Sequence, residues 1–377
     1  MAQGRRGCGC ALVVFVLFMG VLAALGWKFV LPWWQKKPPP ASGGELQVHV
    51  LDVGQGDAIL IISPGGKIAL VDTGDVGKGK VVLAALQANN IQQIDYLITT
   101  HSHPDHIGGA PEIFNGGVKV MMVIDSGIPP PDMPQAEAAA SRRRAPPKKQ
   151  QQSGSTALLP STKAYQDFLN AVQQSGAQYV KAEPDQHYDL GGGARLSVLA
   201  PVQPAFTRDQ LLRSGGNEPN ANSVVMRLDY GDFSMLLTGD AESITEDRLL
   251  SRDIDLSAKI LKVAHHGSKY ATSEDFLKRV KPEIAIISDG EFNVYGHPAQ
   301  AVLDRLKAAG VKVFRTDLQG EIIITTKGKG YEIKAAHDAK TDVFTGREGR
   351  KDDSTRSGFI AYGEFGPPPR QTRQKRR

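Results

Sequence analysis

Thr100-His101-Ser102-His103-Pro104-Asp105-His106-Ile107-Gly108-Gly109 gathers three histidines and an aspartate into six positions, directly after an apolar run at 94–99 that reads as a buried strand. Alternate residues on extended backbone share a face, so His101 and His103 are placed to close on one metal ion. Pro104 turns the chain, and Asp105 and His106 then face a second ion from the other side. Imidazoles beside a carboxylate suit zinc or a neighbouring divalent first-row cation. Gly108-Gly109 lets the backbone leave tightly before a helix. A lone turn histidine is ordinary. Four ligand-type residues at this spacing on a strand end describe a metal site.

The later chain repeats the arrangement. Apolar segments at 233–237, 260–264 and 284–288 read as strands, and each is followed by ligand-type residues: Asp240 in Thr238-Gly239-Asp240, then His265-His266, then His297 in Asn293-Val294-Tyr295-Gly296-His297-Pro298. Open α/β sheets place ligands beyond the carboxyl ends of their strands, so His101, Asp240, His265 and His297 occupy equivalent positions. Strands are also expected at 46–51, 58–63, 68–71, 118–124, 177–181, 195–200, 224–228, 311–315 and 321–326, with helices at 78–89, 161–174 and 298–310. Thr272 with Asp275 reads as the cap of another helix. The strand at 68–71 ends in Asp72, a carboxylate at a strand tip that by its spacing also reads as an ordinary turn aspartate.

Charge and cysteine content organise the rest. The formal net charge of the 377 residues is +5, but the two ends carry all of that excess and the body between them is acidic. A basic isoelectric point is therefore no sign of a nucleic-acid-binding domain here. Residues 11–27 are unbroken and apolar, preceded by Arg5 and Arg6 and followed by Lys28, Trp33, Trp34, Lys36 and Lys37. Residues 1–35 are thus expected to form a membrane-spanning anchor, or a signal peptide cut near Ala24-Leu25-Gly26. Either way the body is expected outside the cytoplasm, anchored or secreted. Cys8 and Cys10, the two cysteines of the sequence, precede that segment, so the body has neither disulfide nor thiolate ligand. Residues 36–44 read as a linker and 45–337 as the domain. An inserted loop at 128–160 carries Arg142, Arg143, Arg144, Lys148 and Lys149, a candidate dock for a polyanion or a merely solvated insertion. Residues 338–377 read as a solvated basic tail.

The stretches LDVGQGDAIL, LVDTG, THSHPDHIGG, NANSVV, LLTGDAE, KVAHHGS, ISDG..NVYGHP and FRTDLQGEIIIT run in that order from Leu51 to Thr326. On them the body resembles the metallo-β-lactamase superfamily, and specifically the soluble hydrolase domain of ComEC-type competence proteins. The resemblance implies an α/β fold, the four-layer αββα sandwich, with one or two divalent ions, zinc or manganese, at one edge between its sheets. It implies that His101 and His103 hold the first ion. Asp105, His106 and one histidine of the His265-His266 pair would hold the second, His265 being favoured as first off its strand. Asp240 would bridge the two, and Asp72 would orient a ligating histidine. Many relatives carry a further histidine for the first ion ahead of the strand leading to the bridging aspartate. Here that stretch is Asn217-Glu218-Pro219-Asn220-Ala221-Asn222-Ser223. The first site is therefore expected to be weaker, richer in oxygen and more open to manganese. No multi-helix channel is legible, so a translocation pore is not expected to carry over.

Chemistry of this kind activates a water at the metals. Asp105 or Asp240 is the expected proton acceptor, and His266 and His297 are candidates to protonate the leaving group or grip a phosphate. The leading expectation is an extracytoplasmic phosphodiesterase, with DNA as a candidate substrate. A cell-envelope phosphodiester such as a choline-phosphate ester is the alternative substrate. A non-catalytic envelope module with a vestigial site is the alternative of another class. Nothing in the sequence sets an oligomeric state.

Overall fold

The computed structural model describes residues 44–130, 160–211 and 217–347. The expected anchor or signal peptide, the linker before Gly44, residues 131–159 of the basic insertion and residues 348–377 lie outside the described residues. Among the described residues no helix is long and apolar enough to cross a membrane.

Two sheets form the body. The first takes β1 (Leu46–Val50), β2 (Ile59–Ile62), β3 (Ile68–Val71), β4 (Gln93–Thr99), β5 (Lys119–Asp125), β6 (Gln178–Lys181), β14 (Ile322–Thr326) and β15 (Glu332–Ala335), in the order β15-β14-β1-β2-β3-β4-β5-β6. The second takes β7 (His187–Gly191), β8 (Ala194–Ala200), β9 (Val225–Tyr230), β10 (Phe233–Leu237), β11 (Ile260–Lys262), β12 (Ile284–Ile287) and β13 (Lys312–Arg315), in the order β13-β12-β11-β10-β9-β8-β7. Strands β3 to β6 are mutually parallel, as are β10 to β13.

The strands read as continuous apolar runs because both faces are covered. Ile59, Ile61, Ala69, Val71 and Ile98 point into the space between the sheets, where they meet Leu196, Val198, Met226, Leu228, Met235 and Ile286. Leu60, Leu70 and Leu97, one residue out of phase, point the other way. There they pack under α1 (Gly79–Ala88), α2 (Pro104–Ile107), α3 (Ala110–Asn115) and α4 (Pro160–Ser175) through Val82, Leu86, Ile107, Ile113 and Phe168. Short helices α5 (Arg208–Leu211) and α6 (Glu218–Ala221) lie ahead of β9. The outer face of the second sheet is covered by α7 (Ser243–Leu250), α8 (Glu274–Val280) and α9 (Gln300–Ala308) through Leu249, Phe276, Val302 and Leu306. The four layers are helix, sheet, sheet and helix, as the resemblance implied. Each fully buried Leu, Ile, Val or Phe in these layers contributes about 1.5–3 kcal/mol relative to exposure.

The structure departs from the sequence reading where the local signal is weak. Strand β15 alternates exposed and half-buried residues, and β7 buries only Leu190 fully, so neither shows the apolar run that marks the central strands. Helix α8 is capped by Ser273, whose hydroxyl accepts the Phe276 N–H at 3.2 Å, one residue after the expected Thr272. Helix α9 begins at Gln300, with Pro298 ahead of it rather than in its first turn.

Residues 338–347 are not a solvated tail. Val343 and Phe344 pack against the core outside the second sheet. Arg315, buried at the end of β13, forks onto Asp317 (Nε–Oδ1 3.0 Å, Nη2–Oδ2 2.7 Å) and donates from Nη1 to the carbonyls of Val343 and Thr345 at 3.1 and 2.6 Å. Asp317, at the start of α10 (Thr316–Gln319), also accepts from Arg347 at 2.6 and 2.8 Å. The anchor is an arginine about thirty residues upstream, which local composition does not reveal.

Replacing Asp317 with alanine strands the buried Arg315 guanidinium. The expected cost is about 3–5 kcal/mol, read as a lower urea midpoint at unchanged slope; an unaltered midpoint contradicts the clamp.

Candidate metal centre

The carboxyl ends of β3 and β4 set up one half of the site. Asp72, just past β3 with φ 59°, is fully buried. Its Oδ1 accepts the Thr100 N–H at 2.7 Å, and its Oδ2 accepts the Thr100 hydroxyl at 2.7 Å and lies 2.7 Å from His106 Nδ1. One carboxylate thus pins the backbone at the end of β4 and fixes the His106 ring with Nε2 directed away from it. His103 stands in extended conformation as the cap of α2, whose first residue is Pro104. His101 Nε2 and His103 Nδ1 are 3.0 Å apart. The loop before β2 packs directly on this turn: a Cβ at Gly56 would lie 2.2 Å from the Asp105 carbonyl oxygen, so only glycine fits.

The second sheet supplies the other half. Asp240 follows β10, and its two carboxylate oxygens face different partners. Oδ1 is 3.3 Å from His106 Nε2 and 3.5 Å from His266 Nε2. Oδ2 is 3.8 Å from His101 Nε2 and 3.7 Å from His265 Nε2. Asp105 Oδ2 completes the first group, 3.4 Å from His266 Nε2 and 3.9 Å from His106 Nε2. The two histidines after β11 both take left-handed backbone, His265 at φ 49°, ψ 48° and His266 at φ 52°, ψ 23°. Outside glycine this costs about 1–2 kcal/mol per residue and persists only where the surroundings impose it.

His266 is held from behind. Its Nδ1 donates to the Ser288 carbonyl at 2.9 Å and lies 3.6 Å from Asp57 Oδ1. Asp57 in turn pairs with Lys262 Nζ at 2.9 Å, and both are buried. The nitrogen left facing Asp105 and Asp240 is Nε2.

Charge in this cluster is lopsided. Burial works against a charged His106, yet the carboxylates of Asp240, Asp72 and Asp105 overrule it and raise its pKa well above the ordinary imidazole value. Burial is likewise overruled at His266, which Asp240, Asp105 and Asp57 push up to about 9. Burial would raise Asp240 and Asp105, but neighbouring imidazoles hold both carboxyls well below their usual range. Burial lowers His101 well below its usual value, His103 to about 4, and His265 as well, leaving them neutral. The carboxylates call for positive charge, and neutral imidazoles stand ready as ligands.

The residues fit a divalent cation. His106 Nε2, His266 Nε2 and Asp240 Oδ1 are buried without a well-formed hydrogen bond, at the point where they converge. Such atoms cost free energy unless something is bound between them. Asp105 with His106 and His266, and His101 with His106 and Asp240, each lie within 4.8 Å of one another, as metal ligands must.

Of the residues singled out from the sequence, His101, His103, Asp105, His106, Asp240 and His266 are brought together, and Asp72 holds His106. Two readings change. His265, favoured for the Asp105–His106 side, lies instead on the Oδ2 side of Asp240. His266, a candidate for protonating the leaving group, has Nδ1 held by the Ser288 carbonyl and Nε2 turned to Asp105 and Asp240 as a ligand would be. His297 lies at the rim, half-buried, its ring 5.4 Å from that of His265. Asp57, Lys262, Thr100 and Ser288 went unrecognised. Lys262 carried a signal: a lysine inside an apolar strand needs a buried partner.

Comparison with known proteins agrees with this geometry. Residues 51–164 match the family described as the metallo-beta-lactamase superfamily. The chain is 29% identical over 305 residues to ComE operon protein 3 of Bacillus subtilis, covering 75% of this chain and 33% of that protein. It is 30% identical over 295 residues to Recombination protein 2 of Haemophilus influenzae, covering 77% and 30%. A UPF0173 metal-dependent hydrolase of Cupriavidus metallidurans is 32% identical over 107 residues, covering 26% and 36%. The chain spans about a third of the length of the first two relatives.

Replacing Lys262 with methionine leaves Asp57 buried without its counter-charge, an expected loss of about 3–5 kcal/mol. Adding Asp57→Asn to that variant recovers much of the loss in urea denaturation. Strict additivity of the two single substitutions contradicts the pairing.

Proposed function

Because the chain carries a metallo-β-lactamase superfamily domain and has ComEC-type competence proteins as homologues, we propose that this metal-dependent hydrolase is a phosphodiesterase acting on nucleic acid outside the cytoplasm. The observation that carries the reading is the convergence of Asp105, His106, His266 and Asp240 from two sheets onto one point, where His106 Nε2, His266 Nε2 and Asp240 Oδ1 are buried without a hydrogen-bond partner. His101 and His103 with Asp240 would hold a first ion, and Asp105, His106 and His266 with Asp240 would hold a second, each a divalent first-row cation. A divalent cation there supplies a nucleophile from water at neutral pH and offsets charge on the attacked phosphoryl oxygen.

The protein's own groups do the rest. Asp72 keeps His106 in one tautomer and orientation, and the Ser288 carbonyl does the same for His266. Asp105 and Asp240, held ionised by their imidazole neighbours, would be the carboxylates to accept a proton from a water bound at that point. Burial keeps His297 neutral, and its Nδ1 is without a hydrogen-bond partner, so the ring is placed to grip a phosphate oxygen at the rim rather than to carry a proton.

A polyanionic, base-bearing substrate is favoured by the surroundings. A cavity of about 440 Å³ is lined by Gln55, Lys78, Phe292 and Lys340 together with the carboxylates of Asp52, Glu291 and Asp317, so its charge is mixed and its exposed ring is what favours a base. Phe292 is 90% exposed and Tyr270 57% exposed, and Lys269 Nζ lies 5.0 Å from the Tyr270 ring centroid. Exposed rings next to lysines suit stacked bases and phosphates better than an isolated choline-phosphate ester. The apolar segment 11–27 would tether the domain to a membrane, and the basic residues 142–149 would add electrostatic attraction for nucleic acid.

Full-length chain supplied with zinc or manganese is expected to cleave bis(p-nitrophenyl) phosphate and single-stranded DNA faster than p-nitrophenylphosphorylcholine, with activity abolished by chelation. Asp240→Ala should lose bound metal, and its activity should fall by at least about 100-fold. Failure of the metal-loaded wild type on both phosphodiester substrates, or retention of metal and activity by Asp240→Ala, sinks the reading.

A further inference from the structure

The two oxygens of Asp240 divide the histidines of this site into two sets. Oδ1 faces His106 and His266, and Oδ2 faces His101 and His265. Consecutive residues on ordinary extended backbone send their side chains to opposite faces. Here the paired left-handed conformations of His265 and His266 bring both imidazoles to one carboxylate, one on each oxygen. The position where a further histidine for the first ion was sought holds Asn220. Its Nδ2 lies 3.4 Å from each ring nitrogen of His265, and its Oδ1 is buried with no hydrogen-bond partner. The asparagine therefore touches the histidine that sits beside the same metal position.

We infer that His265 is a ligand of the first ion, replacing the histidine absent at Asn220, so that the His265-His266 pair contributes one imidazole to each ion. The inference rests on the two-ion reading above and assigns a residue which that reading leaves free. The first site then has three imidazoles, His101, His103 and His265, with Asp240 Oδ2. That donor set selects a borderline cation such as zinc or cobalt, not the oxygen-preferring manganese expected from the asparagine alone. Asn220 becomes a positioning residue that packs against the His265 ring and limits its rotation.

The test is cobalt(II) titration of the chelator-stripped full-length chain, followed by visible absorption and calorimetry, with elemental analysis of the metal retained after dialysis. Wild type is expected to bind two ions. His265→Ala should keep one at near wild-type affinity and lose at least about 100-fold at the other, with a changed visible band. His266→Ala should lose the other of the two sites, and His265→Asn serves as a milder replacement if the alanine variant folds poorly. Added imidazole should restore the lost band in His265→Ala. Two ions bound with wild-type affinity by both His265 variants overturn the inference and leave the hydrolase reading intact. A wild type that binds no divalent ion overturns both.

Discussion

A carboxylate buried between two sheets has to be met by positive charge, and much of this structure follows from how Asp240 meets that requirement. Four imidazoles stand within 4 Å of its two oxygens, and Asp105 and Asp72 add further negative charge around His106. Protons on His106 and His266 balance part of this charge, and a divalent cation bound there would replace those protons and give the facing lone pairs a partner. The left-handed backbone at His265 and His266 is the strain the fold tolerates to present both rings to one carboxylate.

The sandwich makes that meeting possible. Parallel strands bring β3, β4, β10 and β11 out at one edge, so residues far apart in the chain arrive there already oriented. The contact of Gly56 with the Asp105 carbonyl, and the Asp57–Lys262 pair beneath His266, lock the two halves together with little room for adjustment. On the far side, the Arg315–Asp317–Arg347 clamp ties the chain after β15 to the helix layer. The Arg347 N–H reaches the Pro298 carbonyl at 3.1 Å, beside His297. The rim of the site is thus braced by a segment outside the two sheets.

How far the chain could be read without coordinates depended on the range of each interaction. His101, His103, Asp105 and His106 were legible because their spacing and one strand end determine their common direction. The αββα layering was reached through the family resemblance that the ordered motifs carry, while the apolar runs marked the individual strands. The allotment of His265 and His266 was not, because it turns on two φ angles that no strand-based reasoning anticipates. Asp57 went unrecognised because its role depends on a lysine some two hundred residues later.

The sequence by itself determined the ligand types and the strands that carry them, since these depend on periodicity and residue chemistry over a few neighbouring positions, and its ordered motifs carried the resemblance that implied the sandwich. Only the tertiary structure decided which imidazole faces which oxygen of Asp240, that Lys262 neutralises Asp57, and that the domain continues to Arg347. Those outcomes arise from electrostatics and packing between segments distant in the chain, where a shift of an ångström or a single backbone rotation changes the partner.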